Sequence, residues 1–200
     1  MNIFMIEEDP ILSARYMIDI HVNKMIVESS QILGASLEIN GFNNVDKIVN
    51  SLSKSHKKHP SVISTCESRE IFNWLISHSL ELCNMYKETT GKEHNCYSRI
   101  LICQSNNMII PEKRSLLQIK TACDKYNDLV PDPITIYRLF YVNSKISIAS
   151  WGKYGNKKPA WFDKKLFNKE DAIYFMGNRN KTRKNKISMI QLESNINEYL

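Results

Sequence analysis

The sequence predicts a mainly α-helical fold, a compact single domain over residues 1–200 with one or two short strands. Of its 200 residues, 42% are hydrophobic and 24% are charged, enough for one sizeable core. Two Asp-Pro pairs, each of which favours the first turn of a helix, stand ahead of one amphipathic stretch each. Strand signals are confined to the short segments 2–6 and 145–150.

The helices are placed by their start and stop signals. Asp9–Pro10 begins a segment that continues to Asn40–Gly41, as one long helix or two abutting ones. Ser64 with Glu67 fits a capping box for a second helix, which ends near Gly91. The other predicted helical stretches are 95–104, 112–127 and one that Asp132–Pro133 opens.

Three features indicate a cytoplasmic protein. No run approaches 18 consecutive apolar residues, so we expect no membrane span. The first ten residues carry Glu7, Glu8 and Asp9 where a signal peptide would have positive charge. The 5 cysteines contain no C-x-x-C pair and suit reduced thiols, with Cys83 as a small core residue.

Positive charge is concentrated late in the chain. The whole sequence has a formal net charge of +6, and residues 145–186 alone hold twelve Lys or Arg against three acidic residues, a net of +9. A localised basic stretch is typical of a surface that binds a polyanion, most often nucleic acid. We therefore interpret 145–186 as a basic, aromatic DNA-binding segment; the structural alternative is a solvated tail.

The first long helix carries a stripe of polar side chains. At about 100° per residue, His21, Lys24, Glu28 and Gln31 fall within roughly 80° of one another, beside an apolar arc. At these spacings the imidazole, ammonium and carboxylate groups are within reach of each other. Two structural alternatives stay open: Lys24 and Glu28 form only a helix salt bridge, and His21 is a histidine at the core edge.

Other kinds of chemistry have weaker support. His56 and His59, with His21 or Glu28, could be assembled into a metal site, but no recognised ligand spacing is present. A cysteine nucleophile would need a histidine partner that nothing in the sequence places. The chain has no Gly-rich phosphate loop, which excludes nucleotide hydrolysis of the P-loop type. We expect neither a metal nor a cofactor.

Four segments of the chain share their order with a known family. They are Asp19–His21 with Glu28 seven residues after the histidine, the small pair Gly34–Ala35, Pro60 ahead of a long helix, and Lys158–Phe162. Together they resemble the phage pyrimidine-dimer DNA glycosylases, the endonuclease V family. The chain also resembles uncharacterised phage and bacterial proteins that begin Met-Asn-Ile-Phe, which suggest no activity.

The resemblance implies a mostly helical, metal-independent glycosylase. In that family an α-amine at the chain start attacks C1′ of the sugar, and a helix glutamate stabilises the cationic sugar. The resemblance implies that Glu28 is the catalytic glutamate of this chain. Its carboxylate would stabilise an oxocarbenium ion or activate a water molecule. His21 would contact DNA or hold the carboxylate. Lys24 would keep Glu28 ionised, because an opposite charge within about 4–6 Å favours the charged form.

The chain departs from the family at two points that concern the nucleophile and the cation. In the family a small residue follows the initiator Met, whose removal frees the reactive amine. Here the second residue is Asn2, and Met1 is usually retained before so large a side chain, so either the Met1 amine attacks or the enzyme uses water. The family's arginines near the glutamate are replaced by Val27 and Gln31. Lys24 or Arg69 is the candidate for a substitute cation.

The expected DNA contacts come from basic segments with interleaved aromatic side chains, which suit phosphate binding and base exposure. We expect contacts from His56, Lys57, Lys58, His59, Arg69, Lys153, Lys157, Lys158, Trp161, Arg179 and Arg183. For the aromatic side chains, core packing is the alternative.

The sequence therefore predicts a monomeric DNA glycosylase, with or without abasic-site lyase activity. Its expected partner is double-stranded DNA, from which it would excise a damaged or modified pyrimidine: a dimer, or a modified cytosine of the phage type. The setting would be DNA repair or defence against phage. The alternatives are a non-catalytic DNA-binding protein and an enzyme that acts on a free modified nucleotide.

Overall fold

The computed structural model describes residues 1–43, 52, 56–116, 119, 121, 123 and 132–162. In this part the fold is mainly helical, which confirms the predicted class. The α-helices are α1 (Pro10–Arg15), α2 (Asp19–Ile39), α3 (Pro60–Cys66), α4 (Arg69–Thr90), α5 (Tyr97–Ser105) and α6 (Pro133–Lys145). Short 3-10 turns cover His56–Lys58, Asn107–Ile109 and Ile146–Ile148.

The predicted helix ends are confirmed at three places. The Asp9 carboxylate caps α1 by accepting a hydrogen bond from the Leu12 N–H (2.7 Å). α1 and α2 are two abutting helices, and Asn40 follows the last residue of α2. Gly91, with a φ of 70°, ends α4 in the left-handed conformation that glycine adopts without strain.

The capping box was placed wrongly, and half of the predicted 112–127 helix lies outside the described residues. Ser64 lies inside α3, and α4 begins instead at Ser68, whose hydroxyl accepts a hydrogen bond from the Ile71 N–H (3.2 Å). The described residues of 112–127 include no α-helix. Tertiary contacts prevent one at its start: Glu112 forms an isolated bridge with Ser68, and Lys113 donates to the Glu67 carbonyl.

Neither of the two short strands is observed in the described residues. In segment 2–6, Phe4 has a φ of 51°, and the Ile6 N–H turns back to the Phe4 carbonyl (2.9 Å). Residues 145–150 are the end of α6 and a 3-10 turn. A strand needs a partner strand for its backbone groups, whereas here the Ile6 N–H bonds within its own segment and the Ser150 carbonyl accepts from the Asp19 N–H of α2.

The core is built around α2 and α4, which run antiparallel. His94, just after α4, bonds to Asn23 near the start of α2, whereas Asn40 at the end of α2 bonds to the Cys66 carbonyl ahead of α4. α2 also packs against α3 and α5, and α1 packs against α4. Ile3 and its apolar neighbours in segment 2–6 are fully buried in the same core.

The cysteines are reduced thiols, as predicted, and the core position predicted for Cys83 is shared by the other four. All five are buried and none forms a disulfide. Burial raises the pKa of Cys83 and of Cys103 to about 12, so both stay protonated near neutral pH. In the described part of the chain, no helix combines the length and hydropathy needed to cross a membrane.

His78 on α4 makes the core sensitive to acid. Its ring is fully buried and stacked on Trp74 (4.9 Å between centroids), without a hydrogen-bond partner among the described residues. Burial lowers its pKa from 6.5 to about 3, so the folded state keeps it neutral while the unfolded chain protonates below pH 6.5. Stability is therefore full above that pH and decreases as the pH falls toward 3.

We expect His78→Leu to remove this loss of stability. Urea unfolding at about pH 7.5 and about pH 5 should show that the wild type loses about 2 kcal/mol more than the variant, from the unfolded-state pKa and linkage alone. His56→Leu serves as the control, because His56 is exposed. Equal losses in the wild type and His78→Leu would contradict the assignment.

Candidate active site

The start of the chain lies against Glu28 of α2. The backbone N–H of Asn2 donates a hydrogen bond to Glu28 Oε2 over 3.1 Å, across a separation of 26 residues. The Glu28 side chain is 17% exposed, so solvent and ligands can reach the carboxylate while the protein holds it in place. The structure thus places the peptide that follows Met1 against the glutamate that the family resemblance implies for catalysis.

Segment 2–6 is held in this position by a bent backbone. Asn2 Oδ1 accepts a hydrogen bond from the Ile3 N–H (3.0 Å), and Phe4 then adopts a φ of 51°, which is unusual for a side chain with a Cβ. The Phe4 ring stacks on His21 (4.7 Å between centroids, 10° between planes). Ser13 Oγ accepts from the Ile6 N–H and so ties the segment to α1.

His21 lies in the core instead of at the surface. Its Nδ1 is hydrogen-bonded to the Tyr141 hydroxyl of α6 over 2.6 Å, and its side chain is buried. Burial, with Lys145 and Lys24 adding repulsion, lowers the pKa of His21 to about 3, so the ring is neutral. The core-edge alternative from the sequence therefore describes this residue best. Its link to the site is indirect, through Phe4.

Lys24 is the cation placed near Glu28. Its Nζ lies 3.6 Å from Glu28 Oε1, one helical turn away on α2. Arg69, the other candidate, is engaged elsewhere: it donates to the Ile110 carbonyl (3.0 Å) and pairs with Glu112 (3.0 Å). The structure thus gives Arg69 the role of fastening the loop after α5 to the start of α4.

The exposed and half-buried side chains between residues 20 and 31 lie on one side of α2, which we call the open face of α2. It contains Ile20, Asn23, Lys24, Val27, Glu28 and Gln31. Ile20 is 58% exposed and Val27 is 36% exposed, so an apolar ridge lies beside the Lys24–Glu28 pair. The following residues 32–37 are all buried.

Asn23 is oriented on the open face by His94. The Cys96 N–H donates to His94 Nδ1 (3.1 Å), so the ring proton is on Nε2, which lies 3.0 Å from Asn23 Oδ1. Burial lowers the pKa of His94, which favours this neutral form. The NH₂ group of Asn23 has no hydrogen-bond partner among the described residues and points its donors outward.

The segment 150–157 docks on the junction of α1 and α2. The buried Asn156 accepts hydrogen bonds from the N–H groups of Gly152 (3.1 Å) and Tyr154 (3.0 Å), and it donates to the Met17 carbonyl (2.7 Å). The Lys153 N–H donates to Asp19 Oδ1 (3.2 Å). These bonds fix exposed Lys153 at the N-terminal end of α2.

Trp161 has a packing role in this structure. Its indole N–H donates to Glu7 Oε1 (2.8 Å), and Arg138 lies over the ring at 5.1 Å while pairing with the same carboxylate. Lys157, exposed like its neighbour Lys158, donates its backbone N–H to the Arg15 carbonyl. Arg179 and Arg183 lie outside the described residues.

The basic segment ahead of α3 lies at the other end of α2. Lys57 pairs with Glu38 over 2.6 Å, and His59 caps α3 by accepting from the Ser61 N–H (3.3 Å). His56 and Lys58 are exposed. In the described ranges, no three His, Cys, Asp or Glu side chains come close enough to bind a metal ion.

Three residues that position the site were not identified from the sequence. They are Tyr141, which holds His21; Asn156, which holds segment 150–157; and His94, which orients Asn23. Tyr141 is part of the apolar pattern of α6, and its hydroxyl contact crosses 120 residues. No local sequence signal indicates such contacts.

The comparisons with known proteins add no relative. The chain matches no protein-family model, and no significant match was found among curated proteins or solved structures. The resemblance to the endonuclease V family therefore stays a prediction, based on the quoted segments.

Proposed function

We propose that this protein is a DNA glycosylase that excises a damaged or modified pyrimidine from duplex DNA. The observation that carries the proposal is the 3.1 Å hydrogen bond from the Asn2 nitrogen to Glu28. This bond holds the peptide after Met1 against a partly exposed carboxylate, which supports the proposal. The setting would be DNA repair or defence against phage.

The reaction requires a group that stabilises positive charge on the sugar and a nucleophile that bonds to C1′. When the bond between C1′ and the base nitrogen breaks, the base leaves with the electron pair and the sugar gains oxocarbenium character. Glu28 would stabilise that positive charge, because a fixed carboxylate in a partly desolvated position interacts with it more strongly than water does. The neighbouring Lys24 would hold the carboxylate on the open face.

Two nucleophiles are compatible with the arrangement. An amine at the chain start would form a C1′–N bond and, after ring opening, an imine that allows strand cleavage. A water molecule activated by Glu28 would form a C1′–O bond and leave an abasic site without a covalent adduct. The Asn2 nitrogen that meets Glu28 is a peptide N–H, so the amine route requires the Met1 α-amine, one residue earlier, to reach C1′.

The proposal is tested with a panel of labelled duplexes. They contain a thymine dimer, hydroxymethylcytosine, glucosylated hydroxymethylcytosine or unmodified bases. We expect release of one modified pyrimidine, detected as alkali-labile abasic sites, and no release from the unmodified duplex. Absence of abasic sites on every duplex, with DNA binding retained, would favour the non-catalytic DNA-binding alternative.

Borohydride trapping on the same panel separates the two nucleophiles. Reduction of an imine would leave a stable protein–DNA adduct, and the mass of its N-terminal peptide would identify the residue that carries the amine. Base release without an adduct would exclude the amine and support water. Release from free modified nucleotides, but not from duplexes, would support the third function considered above.

A further inference from the structure

An exposed lysine lies at each end of the open face of α2. At its N-terminal end, Lys153 is exposed and makes no ion pair among the described residues; its Nζ lies 5.2 Å from the Tyr154 ring centroid. At the C-terminal end, Lys58 is exposed beside Lys57, which pairs with Glu38. On an ideal helix Glu38 lies in line with Ile20, so the open face and the Lys57 end share one side of α2.

The distance between these ends matches a short stretch of duplex. α2 has 21 residues, so it is about 30 Å long at about 1.5 Å per residue. At about 3.4 Å per base pair this corresponds to about nine base pairs. Glu28, the proposed catalytic carboxylate, lies near the middle of this length.

The side chains between the ends suit contact with a groove. The exposed Ile20 and Val27 offer apolar surface of the kind that minor-groove proteins place against sugars and base steps. Asn23, with its carbonyl held by His94, directs N–H donors outward, and such donors pair with phosphate or base oxygens. The only carboxylate among the six residues of the open face, Glu28, is paired with Lys24.

We propose that double-stranded DNA lies along α2, with phosphate contacts at both ends of the helix and Glu28 facing its centre. Lys153 would contact phosphates at one end, and Lys58, beside the Lys57–Glu38 pair, would do so at the other. This inference rests on the proposed function for the role of Glu28. It adds a defined path and length for the DNA, independent of the C-terminal basic residues.

Binding of unmodified duplexes by the full-length chain tests the path without requiring catalysis. We expect Lys58→Ala and Lys153→Ala each to lower the slope of log K against log salt by about one unit on a duplex of about twelve base pairs, and the double variant by about two. A duplex of about six base pairs spans about 20 Å and reaches only one end. On it, the double variant should lose no more than about one unit.

Lys113→Ala is the matched control. The Lys113 N–H bonds to the Glu67 carbonyl, and the neighbouring Cys66 carbonyl accepts from Asn40. On an ideal helix Asn40 lies on the side of α2 opposite the open face, so Lys113 is on that opposite side. We expect the same slope as the wild type. Unchanged slopes for Lys58→Ala and Lys153→Ala, or the absence of duplex binding, would overturn the proposed path. Base release by the wild type would then leave the glycosylase proposal intact. Lowered slopes in these variants, with no base release by the wild type on any duplex, would contradict only the glycosylase proposal.

Discussion

Glu28→Gln is expected to lower the rate of base release by about 100- to 1,000-fold, the usual effect of removing one charge-stabilising group from an active site. The amide has nearly the same shape and can still accept the Asn2 N–H, so the chain start should stay in place. The amide has no negative charge to stabilise the developing sugar cation. Single-turnover measurements of abasic-site formation, at saturating enzyme, report this loss directly.

Glu112→Gln is the matched control for this experiment. Glu112 is an exposed carboxylate that pairs with Arg69 and has no contact with Glu28 among those observed. We expect its rate to equal that of the wild type. If Glu28→Gln and the wild type release the same base at the same rate, Glu28 is not the catalytic carboxylate.

Asn156→Ala is expected to destabilise the fold by about 3 kcal/mol. The variant loses three hydrogen bonds at a buried position, each worth about 1 kcal/mol, and leaves the Met17 carbonyl without that donor. Thermal unfolding should show a midpoint lower by about 6–12 °C for a chain of this size. Because Asn156 holds segment 150–157, Lys153 should also lose its fixed position and the salt slope of duplex binding should fall.

Two further variants make the Asn156 experiment specific. Asn156→Asp keeps the two accepted hydrogen bonds but sets a buried carboxylate oxygen against the Met17 carbonyl oxygen, so we expect it to be no more stable than Asn156→Ala near neutral pH. Asn107→Ala removes one hydrogen bond, to Asn73 (2.9 Å), and should lower the free energy of unfolding by about 1 kcal/mol. Equal losses for Asn156→Ala and Asn107→Ala would show that Asn156 does not fasten the segment.

Much of the helical frame follows from local signals. Asp9–Pro10, Asp132–Pro133 and Gly91 each mark a helix end that the structure contains. Such signals work because capping and φ preferences act within one turn of the chain. The capping box at Ser64 failed because the same kinds of residue also occur inside a helix, and α3 and α4 are separated by only two residues.

The helical periodicity of the sequence predicted only part of the candidate site. The periodicity of α2 correctly joins Lys24 and Glu28, whose separation is a property of one helix. It also placed His21 in the same stripe, although the structure turns this side chain toward Tyr141. His21 is at the border of the arc, where the packing of α6 and Phe4 decides which way a side chain points.

The sequence alone was sufficient for the helical class, the main helix ends, the reduced thiols and the basic charge of the C-terminal part. These depend on composition and on interactions within a few residues. The tertiary structure decided that the Asn2 nitrogen meets Glu28, that His21 is buried and that Lys153 lies at one end of α2. These contacts join residues 26, 120 and 134 positions apart, and only the packing of the whole core determines which distant groups become neighbours.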